Sequence, residues 1–243
     1  MRFIVKQYGD VAEITKIEKD QTKVRIYRAR KKRTIYGPRR SDNIRRTKQI
    51  CVRRLLIALK EFGCPLLVTL TFRGDASDAS YANDSLRRFQ VRLRNEFNNA
   101  QSLFVPELSP RGRIHFHGLL FNVPLHLGDT CRGRRIVSHG EERKTRILAK
   151  LWGEGYVDAT KTDGSRKLAF YISKYITKGG GEIMFNAMRM LRISHGFPKE
   201  KIYRGVLAEL LAYGYARIHK PTTEWTHENP FLGTINKKVY IKK

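Results

Sequence analysis

One stretch narrows the folds open to this chain more than any other: SLFVPELSPRGRIHFHGLLF, Ser102 to Phe121. It reads as two strands joined at Pro110-Arg111-Gly112. Proline presets φ for a type I turn there, and glycine takes the left-handed position that a three-residue hairpin loop needs. Such a loop pairs Ser109 with Arg113, Glu107 with His115 and Val105 with His117. His115 and His117 are two apart on a strand, so both point to one face while Ile114 and Phe116 point to the other. Paired residues share a face, which sets Glu107 beside His115.

The flanking sequence supplies the rest of a layered domain. LLVTLTF, Leu66–Phe72, follows Pro65 and precedes Gly74, as a buried central strand does. A helix is expected from Asp42 to Phe62, with Ile44, Ile50, Cys51, Leu55, Leu56 and Leu59 on one face and Arg45, Arg46, Arg53 and Arg54 on the other. A second, over 80–98, sets Leu86, Phe89, Val91, Leu93 and Phe97 among Arg87, Arg88, Arg92 and Arg94. A helix near Glu142–Trp152, a strand near Tyr156–Lys161 and a helix from Ser165 to Lys178 complete the order β-α-β-β-α-β-α. That order predicts an α+β chain: a two-layer ferredoxin-like or RRM-like fold with a mostly antiparallel central sheet and helices packed against it. The expected division is a basic N-terminal arm and helix over 1–62, a core over 63–182, and a C-terminal extension over 183–243. The extension is expected to be helical near 183–192 and 199–213, ending in a polar tail. Trp152, Tyr203, Tyr213 and Tyr215 are expected in the core.

Charge points to the partner. Lys and Arg outnumber Asp and Glu by 49 to 22, giving a net charge of +27. Each cation set at a phosphate releases condensed counterions, so nucleic acid is the expected partner. The densest run is Arg28, Arg30, Lys31, Lys32 and Arg33, beside Tyr27 and Tyr36, which reads as a phosphate-tracking arm. Hydrophobic residues make up 41%, enough to exclude compositional disorder. No run of about 18 apolar residues and no export signal is present, so a soluble, cytoplasmic chain with no membrane partner is expected. Cys51, Cys64 and Cys131 lack C-x-x-C spacing and suggest neither a disulfide framework nor a zinc ribbon.

Glu107, His115 and His117 form a mixed carboxylate and imidazole set. It suits a catalytic Mg²⁺ or Mn²⁺, completed by water and substrate oxygens, better than a closed structural zinc site. In KLAFYISKYITKGG, Tyr171 and Tyr175 are four apart and lie on one helical face, with Lys174 and Lys178 repeating that spacing alongside. The cations can steady a phosphate and the charge that develops on it. A phenol with a pKa near 10 is a weak nucleophile at pH 7 and needs such help.

RIHFHGLLF with the upstream Glu107, preceded by LLVTLTF and followed by YISKY, resembles the HUH endonucleases. The two-tyrosine form is similar to the replication initiators of microvirus-type single-stranded DNA phages. The resemblance spans residues 66–178, about half the chain. It implies that Tyr171 attacks the DNA backbone, leaving a 5′-phosphotyrosine and a free 3′-hydroxyl, with Lys174 at the phosphate and Tyr175 as second nucleophile. It implies metal at His115, His117 and Glu107, and single-stranded DNA at a replication origin as substrate. No G-x-x-x-x-G-K-[ST] loop occurs, so unwinding falls to a separate host helicase and extension to a polymerase. The rival readings are a relaxase or single-tyrosine transposase and, outside enzymes, a basic DNA-binding repressor or packaging protein.

Overall fold

The computed structural model describes residues 1–18, 41–74, 77–123, 142–178, 188–229 and 232–241. In chain order these form β1 (Arg2–Tyr8), β2 (Val11–Glu18), α1 (Ser41–Phe62), β3 (Leu66–Leu70), α2 (Ala79–Glu96), β4 (Gln101–Leu108) and β5 (Ile114–Phe121). There follow α3 (Glu142–Trp152), β6 (Val157–Lys161), α4 (Lys167–Lys178), β7 (Arg192–Ile193), β8 (Lys201–Arg204), α5 (Val206–Ile218), β9 (Thr223–Asn229) and β10 (Gly233–Ile241). The protein is α+β, with two antiparallel sheets. Among the described residues no helix is long and apolar enough to cross a membrane.

Two compact units form, and their boundaries differ from those expected at 62 and 182. One unit joins Met1–Arg33 to Lys199–Lys243; the other runs from Thr34 to Pro198. The reason is strand pairing between the chain's two ends: β10 lies beside β2, giving the sheet order β8-β1-β2-β10-β9. Among its described residues the C-terminal extension is therefore strand and helix together, not helical alone. β8 and α5 occupy the stretch expected to be helical over 199–213, and β9 and β10 replace the polar tail. Residues 192–193 are strand, and the rest of the helix expected over 183–192 lies mostly outside the described residues. Phe3, Val5, Ala12, Ile14 and Tyr240 pack against Ala208, Ala212 and Tyr215 of α5. Tyr215 is thus a core residue as expected, whereas Tyr213 is exposed.

The larger unit carries the sheet β6-β3-β5-β4-β7, antiparallel throughout. Without β7 this is the ferredoxin-like order, reached by the predicted β-α-β-β-α-β-α succession. The hairpin forms as its turn chemistry demands. Ser109 N–H donates to Arg113 O at 2.8 Å and Gly112 N–H to Ser109 O at 2.9 Å, with Gly112 at φ +76°. Glu107 pairs with His115 and Val105 with His117, as the loop length requires. Gly118 matters for a different reason: a Cβ there would come within 2.3 Å of the Phe104 ring directly across the pair.

α2 starts at Asp78, whose carboxylate accepts the Ser80 N–H at 2.8 Å, an N-cap contributing about 1 kcal/mol. Leu86, Phe89 and Leu93 form its buried face, and Val91, expected on that face, is exposed instead. Phe89, Phe72 and Phe116 all contact Trp152, which is fully buried. Its indole N–H donates to Thr71 O at 2.7 Å, so the one polar atom of the ring is satisfied. α1 departs from expectation at two arginines. Arg53 is buried, and Arg54 donates to Phe197 O and Pro198 O at 3.0 and 2.7 Å. Those two carbonyl oxygens satisfy Nη1 of Arg54 and hold its guanidinium against the chain.

Candidate active site

The site is assembled on one face of three neighbouring strands. Thr69 of β3 pairs with His117 of β5, and His117 pairs with Val105 of β4. His117 holds a partner at each ring nitrogen. Nδ1 lies 3.2 Å from Thr69 Oγ1, and Nε2 lies 2.6 Å from Glu107 Oε2. The backbone register sets Glu107 opposite His115, as expected, but its carboxylate reaches diagonally to His117. Diagonal neighbours on one sheet face are within range of a side chain of this length. The structure thus brings Glu107 and His117 together and leaves His115 out of that pair. Among the described residues no group of three or more His, Cys, Asp and Glu side chains is placed to hold a metal ion.

α4 brings the tyrosines over the same imidazole. Ala169, Ile172 and Ile176 are fully buried at the spacing of a single helical stripe. Tyr171 and Tyr175 flank that stripe, also four apart. The Tyr175 ring stacks on His117 with centroids 4.0 Å apart and planes 14° from parallel. Its hydroxyl lies 2.7 Å from that of Tyr171, and the two rings meet edge-on at 5.5 Å. Tyr171 is the more open of the two, 42% exposed. Burial pushes the Tyr175 phenol well above its ordinary pKa, and the Tyr171 hydrogen bond and the charges of Tyr171 and Glu107 push the same way. Tyr175 therefore stays protonated and remains able to donate to its neighbour.

The remaining expected residues divide in two. Lys174 is exposed on the same helix. Arg28, Arg30, Lys31, Lys32 and Arg33, and the side chain of Lys178, lie outside the described residues.

Thr69 is the residue that sequence reasoning passed over, because LLVTLTF reads as a strand buried on both faces. The signal is present in its alternation. Val68, Leu70 and Phe72 are buried, while Thr69 and Thr71 face the other way, where the site lies.

The geometry thus supplies, in one place, a carboxylate–imidazole pair and two hydrogen-bonded phenols. No curated protein and no solved structure matches the chain. Over residues 65–180, from the start of β3 to just past α4, the chain is similar to a family of replication-associated proteins of the ORF2 type, whose model matches that stretch.

Proposed function

We propose that the protein is a rolling-circle replication initiator, a site-specific endonuclease and ligase that nicks single-stranded DNA by tyrosine transesterification. One observation carries this reading: His117 is bonded to Glu107 on one side and stacked by Tyr175 on the other, so the histidine strand and the tyrosine helix share one centre. The match to a replication-associated family over the same elements supports it.

In this reading the Tyr171 oxygen attacks a backbone phosphorus. A P–O bond forms to the phenol, and the bond to the 3′-oxygen of the preceding nucleotide breaks. The phenolic proton is lost, and the departing 3′-oxygen gains one, leaving a 5′-phosphotyrosine and a 3′-hydroxyl primer. Lys174 steadies the phosphate charge. Tyr175, one turn along, is the second nucleophile for the next cut and rejoining. The DNA is a replication origin held partly by the basic run over residues 28–33, and a separate host helicase and polymerase carry replication on.

A divalent cation fits the donor chemistry. Thr69 at Nδ1 leaves Nε2 of His117 directed at Glu107, the orientation that outer contacts impose on metal-binding histidines. Glu107 and His117 would hold it, with His115 from the same face. Bound Mg²⁺ or Mn²⁺ would polarise the scissile phosphate.

The test is incubation with labelled single-stranded DNA, with Mn²⁺ or with EDTA, followed by a denaturing gel. A metal-dependent covalent adduct that disappears in Tyr171→Phe, with DNA affinity nearly unchanged, is the expected result. Tight binding to the protein's own replicon DNA with no adduct would overturn it in favour of a non-enzymatic DNA-binding protein.

A further inference from the structure

α5 differs in character from the rest of the chain. VLAELLAYGYARI carries one acid, Glu209, and one base, Arg217, in a protein of net charge +27. Its inner face is committed: Ala208, Ala212 and Tyr215 lie in the core with Phe3, Val5 and Tyr240. At 100° per residue the opposite face presents Val206, Leu207, Leu210, Tyr213 and Ile218. All five are more than half exposed, from 53% at Leu207 to 74% at Val206. Together they offer on the order of 600 Å² of largely apolar surface, at the upper end of what a soluble monomer leaves uncovered.

Two further features indicate what covers this face. Gly214 lies within the exposed stripe, although glycine weakens a helix interior. Among the described residues a Cβ added there would meet nothing within 4 Å, so packing against them does not call for glycine, and the gap leaves room for a second backbone. The two charges are arranged for self-pairing. Glu209 is near the helix start and Arg217 near its end, both exposed. When two such helices cross antiparallel about a two-fold axis at Tyr213, Glu209 of each lies level with Arg217 of the other, on the same side. The apolar area is also close to the roughly 800 Å² that each partner gives a standard specific interface. A polyanion does not suit a face with a single cation.

We propose that α5 is the surface through which two copies of this chain associate, antiparallel and isologous, with Leu210 and Gly214 at its centre. This assignment stands apart from the nicking reaction.

Sedimentation equilibrium of the full chain without DNA tests it. The wild type is expected to be dimeric at micromolar concentration, and Leu210→Glu monomeric with an unchanged circular dichroism spectrum. Glu209→Arg and Arg217→Glu should each weaken association by about tenfold, since each replaces two attractive pairs by two repulsive ones, and the two together should restore it. Both positions are exposed, so these variants keep the test decisive if Leu210→Glu fails to fold. A wild type that remains monomeric at about 100 µM, well above typical working concentrations, would overturn the assignment. So would a folded Leu210→Glu that dimerises like wild type, or a charge-reversed double variant no tighter than the singles.

Discussion

The ring of Tyr175 lies flat against the imidazole of His117, while its hydroxyl reaches that of Tyr171 at 2.7 Å. The two contacts separate under mutation. Tyr175→Phe keeps the stack and loses the hydrogen bond, so the first nick should slow by about tenfold, the loss of one hydrogen bond of roughly 1.4 kcal/mol. Tyr175→Ala loses both and should be slower still. Single-turnover nicking of a labelled strand measures the difference, and equal rates for the two variants would count against a role for the stack. In the proposed cycle Tyr175→Phe should also abolish rejoining to a second origin.

Removing His117 tests the cation. His117→Ala should eliminate metal-dependent cleavage, because a weakly held, hard cation losing one ligand of a small set is bound poorly. The measurement is a Mn²⁺ titration of adduct formation. Undiminished cleavage at any Mn²⁺ concentration would remove the metal assignment while leaving the tyrosines untouched.

Thr69→Val preserves the shape of the side chain and deletes the hydroxyl 3.2 Å from His117 Nδ1. Outer contacts of this kind typically change metal affinity by about 10–100-fold. Isothermal titration with Mn²⁺ should show a loss in that range, with Thr69→Ser recovering most of it. The melting temperature is expected to move little, since Thr69 is only half-buried.

A stability prediction rests on Glu154, distant in sequence from the residues it joins. Its carboxylate accepts hydrogen bonds from Tyr81, Ser85 and Arg88 of α2. Burial pushes the carboxyl up, but those hydrogen bonds and the Arg88 charge outweigh it and hold its pKa below the ordinary carboxylate value. A carboxyl with a lower pKa in the folded state contributes fully above its unfolded value, about 4.3 for Glu, and loses that contribution as pH falls through the folded value. Glu154→Gln should therefore cost about 1–2 kcal/mol at pH 7. The gap from wild type should close on acidification, as read from urea melts at pH 7 and at low pH.

The legible parts of this protein were those fixed by local chemistry. Proline and glycine in the Ser109–Arg113 turn set the register, the register set the faces, and a four-residue repeat set Tyr171 above Tyr175. Two kinds of information were not local. Which of two nearby histidines Glu107 reaches depends on side-chain torsions, and the two-residue pleat does not specify them. The pairing of β10 with β2 joins segments at opposite ends of the chain. β9, TEWTHEN, gives no apolar alternation to announce it, because nearly all of it is exposed. Arg54 failed for a third reason: helical spacing assigns a face, but does not announce the Phe197 and Pro198 carbonyls that take its guanidinium donors.

The buried stripe of α4 has a mechanical meaning. Ala169, Ile172 and Ile176 hold that helix along its inner side, and the phenols project from the adjoining turns. A DNA end joined to Tyr171 would be tethered to this seated helix and not to a loop, so tension from an advancing polymerase would be borne by the packed core beneath. The anchor would yield only if that packing were pulled apart, and the esterified oxygen would keep its station while the rest of the circle is copied.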